Sequence, residues 1–258
     1  MLIKSADGRD KDIQALEALA ARPDVPDAVK KRIQKELWAI KRGERGESQA
    51  AYAINFDYEK SQNIAVIHDL RIEHDGRVAQ MDHVLVNRVL EVIVIETKNF
   101  GGGLAVNENG DFTAFYDRKP FPIASPKEQN RRHCEVLNAL FKSGEVEIPT
   151  RFGGYIMPRT VPLIMLSTES RVTIHASLNE ADYDIIKADR LKTWNEKRIG
   201  KRAGFFATLD DVSRIVSEKT VRDFAERLAA LHKPMTFDWE ARFGLSAQSK
   251  SEEAAEAP

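Results

Sequence analysis

The spacing of apolar residues predicts helices at the start of the chain. Apolar residues recur at helical intervals within Asp10–Ala21 and within Asp27–Arg42, and Pro23 and Pro26 interrupt the pattern between the two segments. We therefore expect an N-terminal helical extension over residues 1–42.

A third helix is predicted after the glycines at positions 43 and 46. Residues Glu47–Tyr58 carry apolar side chains that would lie on one face of a helix. Because the glycines are interpreted as a break, Glu47 is placed in the first turn of this helix.

The pattern then changes to strands. Strands are predicted at Asn63–Leu70, Ala79–Asn87 and Leu90–Lys98, and a hairpin that turns at Asn109-Gly110 is predicted at Gly103–Tyr116. The run Val92-Ile93-Val94-Ile95 is entirely β-branched, as in a strand that is buried on both faces. It is expected to form the centre of the sheet.

Helices and strands alternate in the remainder of the chain. The predicted elements are a helix at Lys127–Phe141 opened by Pro126, a strand at Val161–Leu166, a pair of strands at Val172–Ile174 and Asp184–Lys187, and a helix from about Asp210 to His232. Residues 246–258 lack the apolar side chains needed to fold and are expected to be a disordered tail. The main domain is therefore expected to span residues 43–245.

Composition narrows the class of protein. The 258 residues are 42% hydrophobic and 31% charged, with a formal net charge of −1, so any nucleic-acid contact must come from local patches rather than from overall charge. Cys134 is the only cysteine, which excludes an internal disulfide and a zinc site built on several thiolates. Without a signal-like or membrane-spanning apolar stretch, a soluble cytoplasmic protein is expected.

The strand pattern places a carboxylate and an amine on one surface. Glu96 and Lys98 are two residues apart, so they project from the same face of the strand that contains the β-branched run. If that strand pairs with the preceding one through a tight turn near Arg88, the carboxylate of Asp82 comes beside Glu96. Two carboxylates suit Mg²⁺, and a lysine beside them can act on the attacking water or the phosphate.

An ordinary explanation competes with this one. A Glu-x-Lys pair near a strand end is usually a solvated ion pair. Here, however, it is the only Glu-x-Lys in the chain, and it ends the strongest predicted strand. The rival group Asp117-Arg118-Lys119 follows a shorter strand with no suitably placed acid, and is predicted to be a charged loop. Gly101-Gly102-Gly103 lacks the remainder of a phosphate-binding loop and is predicted to be a turn.

Four segments in order resemble a known family. They are Gly43-Glu44-Arg45-Gly46-Glu47, Ile67-His68-Asp69-Leu70, Gln80-Met81-Asp82-His83-Val84 and Ile95-Glu96-Thr97-Lys98-Asn99. Together they are similar to the nuclease-related domain, NERD, a branch of the PD-(D/E)XK nuclease superfamily. The similarity is strongest over residues 43–141. It implies an α/β fold of the restriction-endonuclease type, with a mixed central sheet flanked by helices.

The resemblance also implies roles for individual residues. Asp82 and Glu96 correspond to the metal ligands, Lys98 to the catalytic lysine, and Glu47 to the acidic residue of the first core helix. From that helix, Glu47 could hold a second ion or orient the water of the first. Gln129 resembles the family's helix glutamine near the active site. Where related sequences carry a tyrosine four residues later, this chain has His133, and no role is assigned to it.

Basic residues near this predicted site are candidates for DNA contact. Arg131 and Arg132 share a helix with Gln129 and are the first candidates for binding phosphate. Residues 197–202, predicted to lie in a loop after Trp194, come second.

The resulting expectation is a DNA nuclease that uses Mg²⁺ or Mn²⁺, acting in DNA processing or in defence against foreign DNA. Two alternatives remain open at this point, a non-catalytic nucleic-acid-binding or adaptor module on the same fold, and a ribonuclease. DNA is the expected partner, and a protein partner or self-association also stays open.

Overall fold

The β-branched run lies in the middle of a six-stranded mixed sheet. The computed structural model describes residues 1–116, 119–179, 183–203 and 213–245. Its strands are β1 (Leu2–Lys4), β2 (Ile64–His74), β3 (Arg77–Asn87), β4 (Glu91–Lys98), β5 (Gly103–Val106), β6 (Phe112–Tyr116), β7 (Lys119–Ile123), β8 (Thr150–Arg151), β9 (Gly154–Tyr155), β10 (Arg159–Leu166), β11 (Val172–Ile174) and β12 (Ile185–Lys187). The main sheet has the order β1-β2-β3-β4-β10-β12.

Helices cover this sheet and precede it. They are α1 (Asp10–Ala21), α2 (Asp27–Tyr58), α3 (Pro126–Ser143), α4 (Leu191–Ala203), α5 (Glu218–Ala230) and α6 (Trp239–Arg242), with a short 3₁₀ helix at Ala188–Arg190. The predicted class, a mixed α/β fold with a central sheet flanked by helices and an N-terminal helical region, is confirmed. The expected tail, the pair Asp117-Arg118 and the predicted helix start near Asp210 lie outside the described residues.

Strand β4 is buried on both faces, as its composition predicts. It pairs antiparallel with β3 and parallel with β10. Val92 and Val94 belong to the core that includes residues of α3, whereas Ile93 and Ile95 belong to the core that includes residues of α2. The alternation of the strand thus assigns Glu96 and Lys98 to the α3 side of the sheet.

The glycines before Glu47 do not end a helix, so the prediction of two separate helices there is wrong. Helix α2 runs without interruption through Gly43 and Gly46, and Glu47 therefore lies in its middle. A glycine inside a helix costs only about 1 kcal/mol, which neighbouring helix formers offset. Gly46 has a packing role, because a Cβ at this position would lie 2.9 Å from the Cβ of Asn99, one residue after Lys98.

The chain forms two compact units. Among the described residues, one consists of residues 1–6 and those within 46–233 and contains the main sheet, and the other consists of residues 7–45 and 234–245. In the second unit, Leu16, Ile33 and Trp239 are among the buried core residues. The indole N–H of Trp239 donates a hydrogen bond to Asp12 at 2.9 Å.

A second sheet packs beside the carboxyl ends of β4 and β10. Its strand order is β11-β5-β6-β7, so the two short strands predicted as a pair belong to different sheets, with β11 beside β5 and β12 beside β10. The predicted hairpin is present as β5 and β6, and Gly110 in its turn has a φ of 83°.

Asn130 fixes α3 to the centre of the main sheet. It is fully buried, and its side-chain amide donates to the backbone oxygens of Val94 at 2.9 Å and Leu163 at 3.0 Å. Pro162 lies opposite Val94 in β10 and has no N–H to donate. The Asn130 amide therefore supplies hydrogen-bond donors at a point where β10 lacks a backbone N–H.

Replacing Asn130 with alanine is expected to lower the free energy of unfolding by about 2–4 kcal/mol, because it removes two buried hydrogen bonds and leaves a void. Urea unfolding followed by circular dichroism measures this. Asn138→Ala is the matched control, since Asn138 is only half-buried two turns later and bonds one side chain, Thr160. A loss for Asn130→Ala no larger than that of the control would contradict this role.

Candidate active site

Glu96 and Lys98 form an ion pair at the end of β4. The Lys98 Nζ donates to Glu96 Oε1 at 2.6 Å. Glu96 is only 3% exposed, and its second oxygen, Oε2, has no hydrogen-bond partner within the described part of the chain. A buried carboxylate oxygen without a donor is costly, so this atom is suited to an additional positive ligand.

Asp82 lies beside Glu96 on the neighbouring strand. The register of β3 and β4 ends with His83 opposite Ile95, and Asp82 and Glu96 are the next residues along the two strands. The carboxylate of Asp82 accepts a hydrogen bond from the backbone N–H of Thr97 at 2.7 Å. The predicted tight connection near Arg88 is present, since only three residues separate the strands.

The electrostatic environment of Asp82 is strongly negative. Burial raises the pKa of Asp82 well above its usual value, and the charges of Glu96 and Glu47 raise it further. The Thr97 N–H and the Lys98 ammonium oppose that shift. A cation beside Asp82 would offset the remaining repulsion.

The pairing of β2 with β3 is interrupted at Asp82. Ile67 and Leu70 belong to the same core although they are three residues apart, which a regular strand does not allow. The ladder passes from His68 opposite His83 to Leu70 opposite Met81 and omits Asp69 and Asp82 between them. Asp82 therefore lies where the ladder is interrupted.

Asp69 has the backbone conformation that this break requires. Its φ is +50°, which aspartate adopts more readily than most residues. Sequence reasoning included Asp69 only as part of a motif and gave it no role. The available signal was an aspartate inside an otherwise apolar strand, opposite the predicted ligand Asp82.

Glu47 lies on the helix before the main strands rather than on the sheet. It is exposed on α2, and its charge acts on Asp82. Among the residues that the structure describes, no three histidine, cysteine, aspartate or glutamate side chains are arranged to hold a metal ion. A ligand role for Glu47 stays a prediction.

Helix α3 brings two side chains to the ion pair. Gln129 Oε1 lies 3.4 Å from Lys98 Nζ, as the predicted proximity of this helix requires. His133, which received no role from the sequence, has its Nδ1 3.8 Å from Glu96 Oε2. Burial lowers the pKa of His133, and the charge of Glu96 opposes this shift. The four-residue spacing from Gln129 was the signal for its position on the same helix face.

Comparison with known proteins identifies the segment that contains this site. Residues 42–160 match the family model described as nuclease-related domain. This segment is similar to the NERD family. No curated protein and no solved structure gave a match. The matched segment contains Glu47, Asp82, Glu96, Lys98 and Gln129, and the mixed sheet with flanking helices is consistent with the PD-(D/E)XK superfamily.

The basic residues predicted to contact DNA differ in whether their charges are already paired with carboxylates. In the NERD segment, Arg131 is exposed but forms ion pairs with Glu128 and Glu135 on its own helix. Arg132 is also exposed. Of the two, Arg132 is the better placed to meet a phosphate without first exchanging an ion pair.

Arg198, in the second basic candidate, has a structural contact. Residues 197–202 lie in α4, so the prediction of a loop is wrong. The Arg198 guanidinium donates to Glu91 Oε1 at 3.1 and 3.2 Å. Glu91 is fully buried at the opposite end of β4 from Glu96, which directs Arg198 away from the candidate site.

His83 is a packed histidine, as its position beside Asp82 predicts. Its Nδ1 lies 2.8 Å from Nδ1 of His68, whose Nε2 lies 3.0 Å from the Asn55 side-chain oxygen. Burial lowers the pKa of His68 to about 4 and that of His83 well below its usual value, so both rings are neutral at pH 7. His68 therefore donates from Nε2 to Asn55, and His83 donates to His68. This chain of bonds links α2 to β2 and β3.

Proposed function

We propose that this protein is a divalent-metal-dependent nuclease that hydrolyses phosphodiester bonds in DNA. The observation that carries the proposal is the convergence of Asp82, Glu96 and Lys98 where the pairing of β3 with β4 ends, inside the segment that matches the nuclease-related domain. Binding alone would not require two adjacent carboxylates and a lysine. Retention of all three argues against a purely adaptor role.

The donor set suits Mg²⁺ or Mn²⁺. Magnesium takes hard oxygen ligands and is commonly bound by one or two carboxylates together with waters and substrate phosphates. Asp82 and Glu96 would hold the ion, the unpartnered Glu96 Oε2 being the natural ligand atom. Glu47 would act from α2 on a coordinated water. When bound, the ion would polarise the scissile phosphate as a Lewis acid.

Lys98 supplies the complementary charge. Its ammonium is held between Glu96 at 2.6 Å and Gln129 at 3.4 Å, so it is oriented before the substrate binds. In this position it orients the attacking water and offsets the negative charge that grows on the phosphate oxygens. The water loses a proton as its oxygen bonds to phosphorus, the bond to the leaving oxygen breaks, and the leaving oxygen takes up a proton. Arg132, and Arg131 after exchanging its glutamates, would contact neighbouring phosphates.

Incubation with supercoiled plasmid tests the proposal directly. With Mg²⁺ or Mn²⁺ the purified protein is expected to convert supercoiled DNA to nicked or linear forms, and with EDTA it is expected to leave the plasmid intact. Single-stranded DNA and RNA of matched sequence are incubated in parallel. Absence of metal-dependent cleavage of any DNA would refute the proposal, and cleavage of RNA alone would make the protein a ribonuclease.

None of the helices within the described ranges is long and apolar enough to cross a membrane.

A further inference from the structure

One face of the second sheet continues beyond the protein core. In antiparallel β6 and β7, directly opposed residues share a face, which places Ala114 with Phe121 and Tyr116 with Lys119. Ala114 is fully buried, whereas Tyr116 is half-buried, Phe121 is 45% exposed and Lys119 is exposed. The inner face of the sheet thus becomes an exposed aromatic and basic surface formed by Tyr116, Lys119 and Phe121, called here the aromatic ledge.

The aromatic ledge borders the candidate active site. Its inner continuation packs against Ile164 and Leu166 of β10. These residues lie opposite Glu96 and Lys98 in the parallel pair of β4 and β10, so they share the sheet face from which Glu96 and Lys98 project. The second sheet therefore flanks the site on its own face.

Aromatic contacts make the path from the site to the ledge continuous. Phe100 follows Lys98 by two residues, and its ring centroid lies 6.0 Å from that of Tyr116. The Tyr116 ring in turn lies 5.8 Å from that of Phe121. The row therefore extends outward from the end of β4 to an exposed ring.

The ledge is unsuited to adding a protein strand but suited to a polyanion. Strand β7 is at the edge of its sheet, yet it contains Pro120 and Pro122, which have no N–H to donate to another strand. In the sequence, residues 112–123 contain two basic residues, Arg118 and Lys119, and one carboxylate, Asp117, a net charge of +1. Exposed aromatic rings beside a basic side chain are the components of single-strand binding surfaces, where bases stack and phosphates meet cations.

We infer that the aromatic ledge stacks the bases of a single-stranded DNA segment that leads to Glu96 and Lys98. The inference rests on the proposed function, and it makes DNA with a single-stranded region the preferred substrate. Phe121 supplies the exposed stacking surface, Tyr116 supports it from within, and Lys119 contacts a phosphate.

Fluorescence anisotropy with labelled oligonucleotides in EDTA measures binding without turnover. Phe121→Ala is expected to weaken binding of single-stranded DNA by roughly 5- to 150-fold, the range for loss of one base–aromatic stack, and to leave blunt duplex of the same sequence almost unaffected. Phe121→Trp is expected to restore binding. In cleavage assays with Mg²⁺ the alanine variant should raise KM for single-stranded DNA and leave kcat nearly unchanged.

Phe152→Ala is the matched control. Phe152 is a fully exposed phenylalanine at the tip of the β8–β9 hairpin, which precedes β10 at the Glu91 end of the strands. It should bind single-stranded DNA like the wild type. Wild-type affinity in Phe121→Ala, or an equal loss on blunt duplex, would overturn the inference.

Failure of the proposed function gives a different result. In that case the wild type would not cleave DNA with any metal, while the Phe121-dependent binding of single strands would persist. Normal cleavage with Phe121-independent binding would instead support the nuclease function and refute single-strand binding by the aromatic ledge.

Discussion

Replacing Glu96 with glutamine is expected to lower metal-dependent cleavage by roughly a thousandfold or more, because it removes a charged ligand and the partner that orients Lys98. Glutamine nearly matches the shape of glutamate, so the buried end of β4 should remain packed. Initial rates on plasmid, compared at saturating Mg²⁺, measure the effect, and circular dichroism checks the fold.

A second buried glutamate on the same strand provides the control. Glu91 is fully buried, but it bonds Asn87 and Arg198 at the far end of β4. Glu91→Gln removes the charge that compensates Arg198, so it should lower thermal stability while the folded fraction cleaves at the wild-type rate. If both variants lost cleavage to the same extent, the loss would reflect the stability of β4, and the assignment of Glu96 would be refuted.

The site was accessible from the sequence because strand alternation is a local property. Glu96 and Lys98 are two residues apart, so any regular strand places them on one face. Asp82 required only a short connection to the preceding strand, which the structure provides. Gln129 could be placed through the family resemblance, and the structure brings it to 3.4 Å from Lys98.

Other features depend on contacts between distant segments. Gly46 resembled a helix break, but its lack of a side chain serves the close approach to Asn99. Lys119 was predicted to lie in a charged loop, but it begins β7, a strand with two prolines that only an edge position tolerates. Helix α4 has few apolar residues, and besides the packing of Leu191 and Trp194 it is held by the contact of Arg198 with Glu91. None of these partners can be identified from spacing along the chain.

The break at Asp69 and Asp82 illustrates the limit most clearly. Strand alternation continued through Asp82 would place Met81 and Val84 on opposite faces, yet both lie in one core. The change of face occurs in both strands at the same rung, so it is a property of the pair. The residue pattern of one strand alone locates Asp82, but it does not show the interruption of the ladder at this residue.

Asp82→Asn is expected to abolish metal binding and, in EDTA, to raise the melting temperature by about 2–4 °C. Asparagine keeps an oxygen that can accept from the Thr97 N–H, while the repulsion from Glu96 and Glu47 disappears. Relief of about 1 kcal/mol corresponds to a shift of this size for a protein of this length. The expected gain in stability accompanies a loss of function, because the repulsion among the carboxylates, which destabilises the metal-free protein, also favours binding of a cation.

Thermal melts with EDTA and with increasing Mn²⁺ measure both effects in one series. The wild type should be stabilised as Mn²⁺ rises, since a ligand that binds only the folded state stabilises it by mass action. Asp82→Asn should melt at one temperature throughout. Asp69→Asn is the control, because asparagine tolerates the positive φ of +50° and Asp69 is not a proposed ligand, so its response to Mn²⁺ should match that of the wild type. A stabilisation by Mn²⁺ that survives in Asp82→Asn would place the ion elsewhere and leave Asp82 with only a structural role in the middle of β3.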